Sequence, residues 1–267
     1  MAYFTNTDGV RFYYQDHGPV DEQAVLLVSS WSLDSTMWEY QVPALVAAGY
    51  RCVAMDRRGH GRTDEPGVGY DLDTLADDLA RLVDHLGLAE LIVVAHSMGC
   101  CETVRALHRH GTAGVRGAVL ACTVSPHVEG AVGTDAYAAA LAELRADRPA
   151  WFATRRDGYF ALPHSDASAA MADDAIVGAL RVPMEVLLAC QRAGTATDVS
   201  ADLAALDVPT LFLHGDADQS APLEITGKPS AELVAGAELV VYPGGPHGLY
   251  VSHRERFTAD LLRFLAA

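Results

Sequence analysis

The sequence predicts an α/β protein: a mostly parallel central sheet flanked by helices, with a helical cap inserted between two of the later strands. Three observations carry this prediction. Apolar runs of about five residues recur along the chain, the length of buried strands. Amphipathic helical patterns separate several of them, the alternation expected of a parallel sheet with helices on both faces. The alternation then fails over one stretch, 125–200, which is rich in Ala, Asp and Arg and shows no convincing strand.

Taken in order, "AVLLV" (24–28) reads as a buried strand, followed by the polar break "SSWSLDSTMW". "RCVAM" (51–55) is the next strand. "DTLADDLARLVDHLGL" then places Leu75, Leu79, Leu82, Val83 and Leu86 on one helical face, with Gly87 as its stop. The strand "LIVVA" (91–95) runs directly into "SMGCCETVRALHRHG", a helix predicted to stop at Gly111. "GAVLA" (117–121) follows. Within the irregular stretch, "DAYAAALAELRADRPAWF" and "VPMEVLLACQRA" read as helical. "TLFLH" (210–214) and "ELVVY" (238–242) resume the strands. The expected organisation is a core made of 1–124 and 201–267 around a cap of 125–200. In such sheets functional groups gather beyond the carboxyl ends of the strands.

Composition narrows the function classes. The 267 residues are half apolar and one-fifth charged, enough to bury a full core. A net charge of −16 argues against nucleic acid and anionic membranes, which require clustered Lys and Arg. Cys52, Cys100, Cys101, Cys122 and Cys190 are odd in number, show no CxxC spacing and read as small buried hydrophobes of a reducing compartment. The first residues carry no basic segment ahead of an apolar one, and no apolar run approaches a membrane span. The expectation is a soluble, cytoplasmic protein whose oligomeric state stays open, a homo-oligomer included.

The sharpest local signal is "VVAHSMGCC". A strand that turns abruptly into a helix at Ala95-His96-Ser97-Met98-Gly99 holds Ser97 exposed above the sheet, next to the unpaired N–H groups of a helix N-terminus. A helix-capping serine is the bland competitor. Serine is a poor nucleophile without a base, so the nucleophilic reading requires a carboxylate and a histidine behind later strands, in that order. Both are there: "TLFLHGDADQSAPLE" presents Asp216 and Asp218, and "VVYPGGPHGLY" presents His247. Three matches in the right order favour catalysis over capping.

These residues resemble the α/β-hydrolase superfamily and, within it, the cofactor-free haloperoxidase (perhydrolase) and aryl-esterase group. The similarity runs nearly end to end and is weakest in the cap. Its further markers are "SLDSTMWEYQ", "GYRCVAMDRRGHGRTDEP", "YDLDTLADDLARLVDHLGL" and "GAELVVYPGGPHGLYVSH". The resemblance implies Ser97 as nucleophile, His247 as general base and acid, and Asp218, the last Asp of "HGDAD", as triad acid. Asp216 is then a structural loop residue. "DRRGHGRTD" (56–64) is implied to be a tight loop held by Arg57 or Arg58. The implied oxyanion donors are the backbone N–H groups of Met98 and Trp31.

In the family the loop carrying the second donor reads His-Gly-X; this chain has Ser29-Ser30-Trp31. Glycine there suits a backbone that must turn closely, sometimes with φ > 0. Either the serine hydroxyls pin the loop in another way, the favoured expectation, or the oxyanion site is imperfect. Ser30, Val124, Trp151 and Phe160 are assigned to the substrate pocket, although Trp151, Phe152, Tyr159 and Phe160 also suit the cap's own core. His96 reads either as packing beside the nucleophile or as a residue that supports the site from behind. His108 and His110, two apart on a helix, cannot face one another. No metal-ligand spacing and no dinucleotide fingerprint occur, so no metal and no cofactor are expected. The expected activity is a serine esterase or lactonase acting on a small molecule, with perhydrolysis as an implied second activity. The rivals are a non-hydrolytic enzyme on the same fold, such as a cofactor-free oxygenase or C–C bond cleaver, and a ligand-binding protein on this scaffold.

Overall fold

The computed structural model describes residues 2–267, which form one eight-stranded sheet with helices on both faces. The strands are β1 (Ala2–Thr5), β2 (Arg11–His17), β3 (Ala24–Val28), β4 (Arg51–Met55), β5 (Leu91–His96), β6 (Val115–Ala121), β7 (Thr210–Gly215) and β8 (Glu238–Tyr242). Their spatial order is β1-β2-β4-β3-β5-β6-β7-β8. Strands β3 to β8 pair in parallel, whereas β1 and β2 add an antiparallel edge. The six apolar runs of the sequence are the six parallel strands. β1 and β2 escape that pattern because "AYFT" is short and "RFYYQDH" carries only Phe12, Tyr13 and Tyr14 before it turns polar.

Each parallel strand alternates its side chains between two cores. In β3, Ala24, Leu26 and Val28 face one side while Val25 and Leu27 face the other. The first side is covered by α2 (Leu72–Leu86) and α3 (Met98–His110). The second is covered by α1 (Val42–Ala47) and the last helix of the chain, Arg254–Leu265. Helix α2 shows why these residues form a helix. Asp71 accepts a cap bond from the Thr74 amide at 3.0 Å, Leu72, Leu75, Leu79 and Leu82 fall on one buried face, and Gly87 ends it at φ 57°. Truncating one such wholly buried leucine to alanine costs about 2–5 kcal/mol.

Between β6 and β7 lie six helices: α4 (Val128–Val132), α5 (Thr134–Ala146), α6 (Arg148–Phe160), α7 (Ala169–Arg181), α8 (Met184–Ala196) and α9 (Ser200–Ala204). The sequence pattern 135–152 is two helices rather than one. Asp147, with its side chain accepting from the Ala150 amide at 3.0 Å, ends α5 and caps α6, and Pro149 sits in the first turn of α6, where a missing N–H is harmless. After β7 come α10 (Gly227–Leu233), α11 (Leu249–Ser252) and α12 (Arg254–Leu265). Among the described residues no helix is long and apolar enough to cross a membrane.

Candidate active site

Strand β5 passes into α3 through Ser97, whose φ of 56° and ψ of −120° lie outside the regions a non-glycine residue favours. Such strain costs on the order of 1–3 kcal/mol and persists only where the surroundings over-determine it. Here the Ser97 amide is fixed by Ala121 O at 2.9 Å. Gly99, the second residue of α3, lets the helix approach β3: a Cβ there would lie 2.8 Å from both Val28 O and Ser29 O. The packing of α3 on the end of β3 therefore brings the Ser97 turn and the Ser29-Ser30-Trp31 loop together.

His247, in the loop after β8, and Asp218, in the loop after β7, complete a continuous chain of hydrogen bonds. His247 Nε2 lies 2.9 Å from Ser97 Oγ, and His247 Nδ1 lies 2.7 Å from Asp218 Oδ2. Ser97, Asp218 and His247 are each at most 4% exposed. The second carboxylate oxygen of Asp218 accepts from the Ser220 and Ala221 amides, both at 2.8 Å. Burial by itself would push the Asp218 carboxyl up, but His247 and His214 outweigh it and hold the carboxyl well below its ordinary value. Asp218 is thus an anion that keeps the His247 proton on Nδ1 and leaves Nε2 free to accept. Asp216 is exposed, and its carboxylate accepts from the Gly244 amide at 2.6 Å, a loop-holding bond.

His96 contacts the His247 loop directly. Its Nε2 lies 2.9 Å from the backbone carbonyl of His247, and its ring sits edge-on to His247 at 4.9 Å. Burial, then the neighbouring His247, lower its pKa to about 3, so the ring is neutral and Nε2–H is the donor. From above, Tyr159 of α6 meets the His247 ring edge-on at 5.2 Å, and its hydroxyl interacts with Ser30 and Tyr250. Sequence patterning could not separate Tyr159 from the cap's own core, because helical periodicity reports which side is buried and not what lies against it.

The Ser29-Ser30-Trp31 loop is held by a route the sequence did not reveal. Buried Arg57 donates to Ser29 O at 2.7 Å and Ser30 O at 3.1 Å, and its Nε donates to Glu102 on α3 at 2.6 Å. Burial pushes the Glu102 carboxyl up, and the Arg57 guanidinium opposes that push. The serine hydroxyls were expected to pin this loop; Ser29 Oγ donates to Asp34 O at 3.0 Å, but the main anchor is the Arg57 fork. Arg58, by contrast, pairs with Asp78 and Asp8 away from this loop. Nor does Ser30 carry the conformation that glycine would ease. The left-handed residue is Ser32, at φ 64°. Among the described residues the backbone N–H groups of Trp31 and Met98 have no protein acceptor.

The remaining predicted pocket residues cluster in two places. The Trp31 indole donates to Leu187 O at 2.8 Å, meets Trp151 edge-on at 5.8 Å and stacks on Phe152 at 5.8 Å. Phe160 is 3% exposed and packs against Tyr159 and Tyr250. Val124, beyond β6, is buried in the same core as Met98. His108 and His110 are exposed and pair with Asp202 and Asp77, respectively. All five cysteines are free and buried, but one is not remote from the site: the ligand atoms of Cys122, Asp218 and His247 lie within 4.8 Å of one another.

The chain has relatives among known proteins. A family described as "alpha/beta hydrolase fold" matches residues 23–170. The chain is 36% identical to a non-heme chloroperoxidase, CPO-A1, of Kitasatospora aureofaciens, and 34% identical to a bifunctional esterase/perhydrolase, DCH, of Acinetobacter calcoaceticus. Each comparison spans 99% of both chains. Among solved structures, a bromoperoxidase from Bacillus anthracis superposes with a TM-score of 0.93 at 33% identity, covering 100% of this chain and 99% of that one.

Proposed function

Because this chain belongs to the alpha/beta hydrolase fold family, within its non-heme haloperoxidase and esterase group, we propose that it cleaves a small carboxylic ester or lactone through an acyl-enzyme on Ser97. The observation that carries the proposal is the buried relay from Asp218 through His247 to Ser97, at 2.7 and 2.9 Å.

His247 Nε2 takes the hydroxyl proton as Ser97 Oγ bonds to the substrate carbonyl carbon. The carbonyl oxygen becomes an oxyanion and accepts from the Trp31 and Met98 amides, whose lack of protein acceptors leaves them available. One such donor lowers the barrier by about 2.7–4 kcal/mol. Anionic Asp218 stabilises the imidazolium. His247 then gives its proton to the departing alkoxide, leaving the acyl group on Ser97. Water, deprotonated by the same nitrogen, attacks the acyl carbon; the carboxylic acid leaves and Ser97 regains its proton. Hydrogen peroxide in place of water gives a peracid, and the peracid oxidises halide to hypohalous acid while returning to the carboxylic acid. This second nucleophile is motivated by the similarity to the esterase/perhydrolase. The pocket for the substrate's apolar part is assigned to Trp31, Trp151 and Val124, with Ser30 and Phe160 on the Tyr159 side.

The test is p-nitrophenyl acetate hydrolysis by Ser97→Ala. Loss of turnover with an unchanged circular dichroism spectrum supports the assignment, and undiminished turnover refutes it. Labelling by a fluorophosphonate separates acyl-enzyme chemistry from base-only chemistry, in which Ser97 never becomes acylated. An unlabelled but ligand-binding protein would return the scaffold to a binding role.

A further inference from the structure

Cys122 follows β6 in a left-handed conformation, at φ 47°, and is wholly buried. Its amide is fixed by Leu213 O at 2.8 Å, and its Sγ lies 4.0 Å from the carbonyl of Pro246, the residue before His247. The turn sets Sγ beside the Asp218–His247 pair, with all three ligand atoms mutually within 4.8 Å. A soft sulfur, an imidazole nitrogen and a carboxylate oxygen so placed match the donors of a thiophilic divalent cation such as Zn²⁺ or Cd²⁺.

We propose that Cys122, His247 Nδ1 and Asp218 form an inhibitory site for a thiophilic divalent cation, and that metal binding there switches the Ser97 relay off. The inference rests on the proposed role of His247 as base. With metal–ligand distances of about 2.0–2.3 Å, tetrahedral ligand atoms stand roughly 3.4–3.6 Å apart. His247 and Asp218, now 2.7 Å apart, must separate by about 0.7–0.9 Å, and Sγ, within 4.8 Å of both, must settle at the same tetrahedral spacing. Binding replaces the thiol proton with the metal: Cys–SH plus M²⁺ gives Cys–S–M⁺ and a released proton.

The inhibition follows from the histidine tautomer. A metal on Nδ1 uses the lone pair that the native Nδ1–H does not offer, so the imidazole proton must sit on Nε2. Nε2–H can no longer accept the Ser97 proton, and Asp218 no longer orients the ring. The metal therefore removes the base without blocking Ser97 sterically. Access to this buried site requires local opening, so inhibition develops with incubation time.

The experiment titrates the full chain with Cd²⁺, with Mg²⁺ as the oxygen-preferring control, and compares wild type with Cys122→Ala and Cys122→Ser. Two readouts are taken: p-nitrophenyl acetate hydrolysis and the ultraviolet cadmium–thiolate absorption. Wild type should lose activity and gain the thiolate band, and a chelator should reverse both. Cys122→Ala should hydrolyse the ester but lack the band and resist Cd²⁺ by at least about 100-fold, the upper end of what even an outer-shell change costs in metal affinity. Cys100→Ala, which leaves the three ligands in place, should behave as wild type. Equal inhibition of wild type and Cys122→Ala, or no thiolate band in wild type, overturns the proposal. If no ester is hydrolysed by any variant, the hydrolase reading fails on its own, while the thiolate band still decides whether Cys122 binds the metal.

Discussion

Arg57→Lys tests whether the Ser29-Ser30-Trp31 loop is held by a remote guanidinium. Arg57 is 4% exposed and makes three bonds at once: 2.7 Å to Ser29 O, 3.1 Å to Ser30 O and 2.6 Å to Glu102. Lysine keeps the charge beside Glu102 but is a point donor without the planar fork, so at least one loop carbonyl loses its partner. A hydrogen bond to a charged group contributes about 1.5–3 kcal/mol, which sets the expected loss of stability. Trp31 follows Ser30 directly, so a relaxed loop displaces the proposed donor. Full loss of one donor corresponds to about 10²–10³ in kcat, and partial displacement to about 10–100-fold. The donor acts on the transition state, so kcat should fall while KM barely changes. The assay pairs steady-state ester hydrolysis with urea unfolding. Arg58→Lys is the control, because Arg58 is equally buried but pairs with Asp78 and Asp8 away from this loop. If Arg57→Lys and Arg58→Lys lose similar stability and both keep kcat, Arg57 does not position the oxyanion site.

Asp218 and the buried histidines set further expectations for acid. The Asp218 carboxyl lies below its ordinary value of 3.8, so the stability it contributes is fully present above that pH and is lost as pH falls through the folded value. Asp218→Asn should therefore shallow the acid-unfolding curve below pH 3.8 and, by freeing the His247 tautomer, lower kcat by about 10⁴; an unchanged curve and rate would count against the relay. His96 titrates near 3 when folded and near 6.5 when free, so between those values the unfolded chain binds a proton that the folded chain refuses. Stability thus declines as pH falls below 6.5, and His96→Phe should reduce that slope by up to about 1.4 kcal/mol per pH unit in urea titrations. An equal slope in both proteins would show that His96 is not the refusing group. All five thiols are buried, and burial holds those of Cys52, Cys101 and Cys190 up at about 12, so a thiol-reactive disulfide reagent should label none in the native protein and five in denaturant. Rapid labelling of the native chain would contradict the packing around α3 and β6.

The six parallel strands, α2 with its Asp71 cap and Gly87 stop, and the order Ser97, Asp218, His247 were legible in the sequence. Each is written in neighbouring residues: apolar runs, 3.6-residue spacing, or turn chemistry at a strand end. β1 and β2 were not, because their apolar stretches are too short and too mixed with polar residues to stand out as buried runs. The choice between Asp216 and Asp218 needed a resemblance, since two acids in one turn read alike until one is seen at 2.7 Å from His247 and the other bonded to Gly244.

By itself, then, the sequence determined which side chains stand at the ends of which strands, because local pattern and strand order suffice for that. Only the tertiary structure decided what reaches those side chains from elsewhere. Arg57 grips carbonyls 27 and 28 residues away, Tyr159 leans on His247 from the inserted helices, and Cys122 stands beside Asp218 and His247. Such contacts depend on how elements pack in three dimensions, and neither periodicity nor a motif encodes the direction in which a buried arginine or thiol points. The polar Ser29-Ser30-Trp31 break shows the division: its residues mark a turn behind a strand, and the fold supplies the guanidinium that holds it.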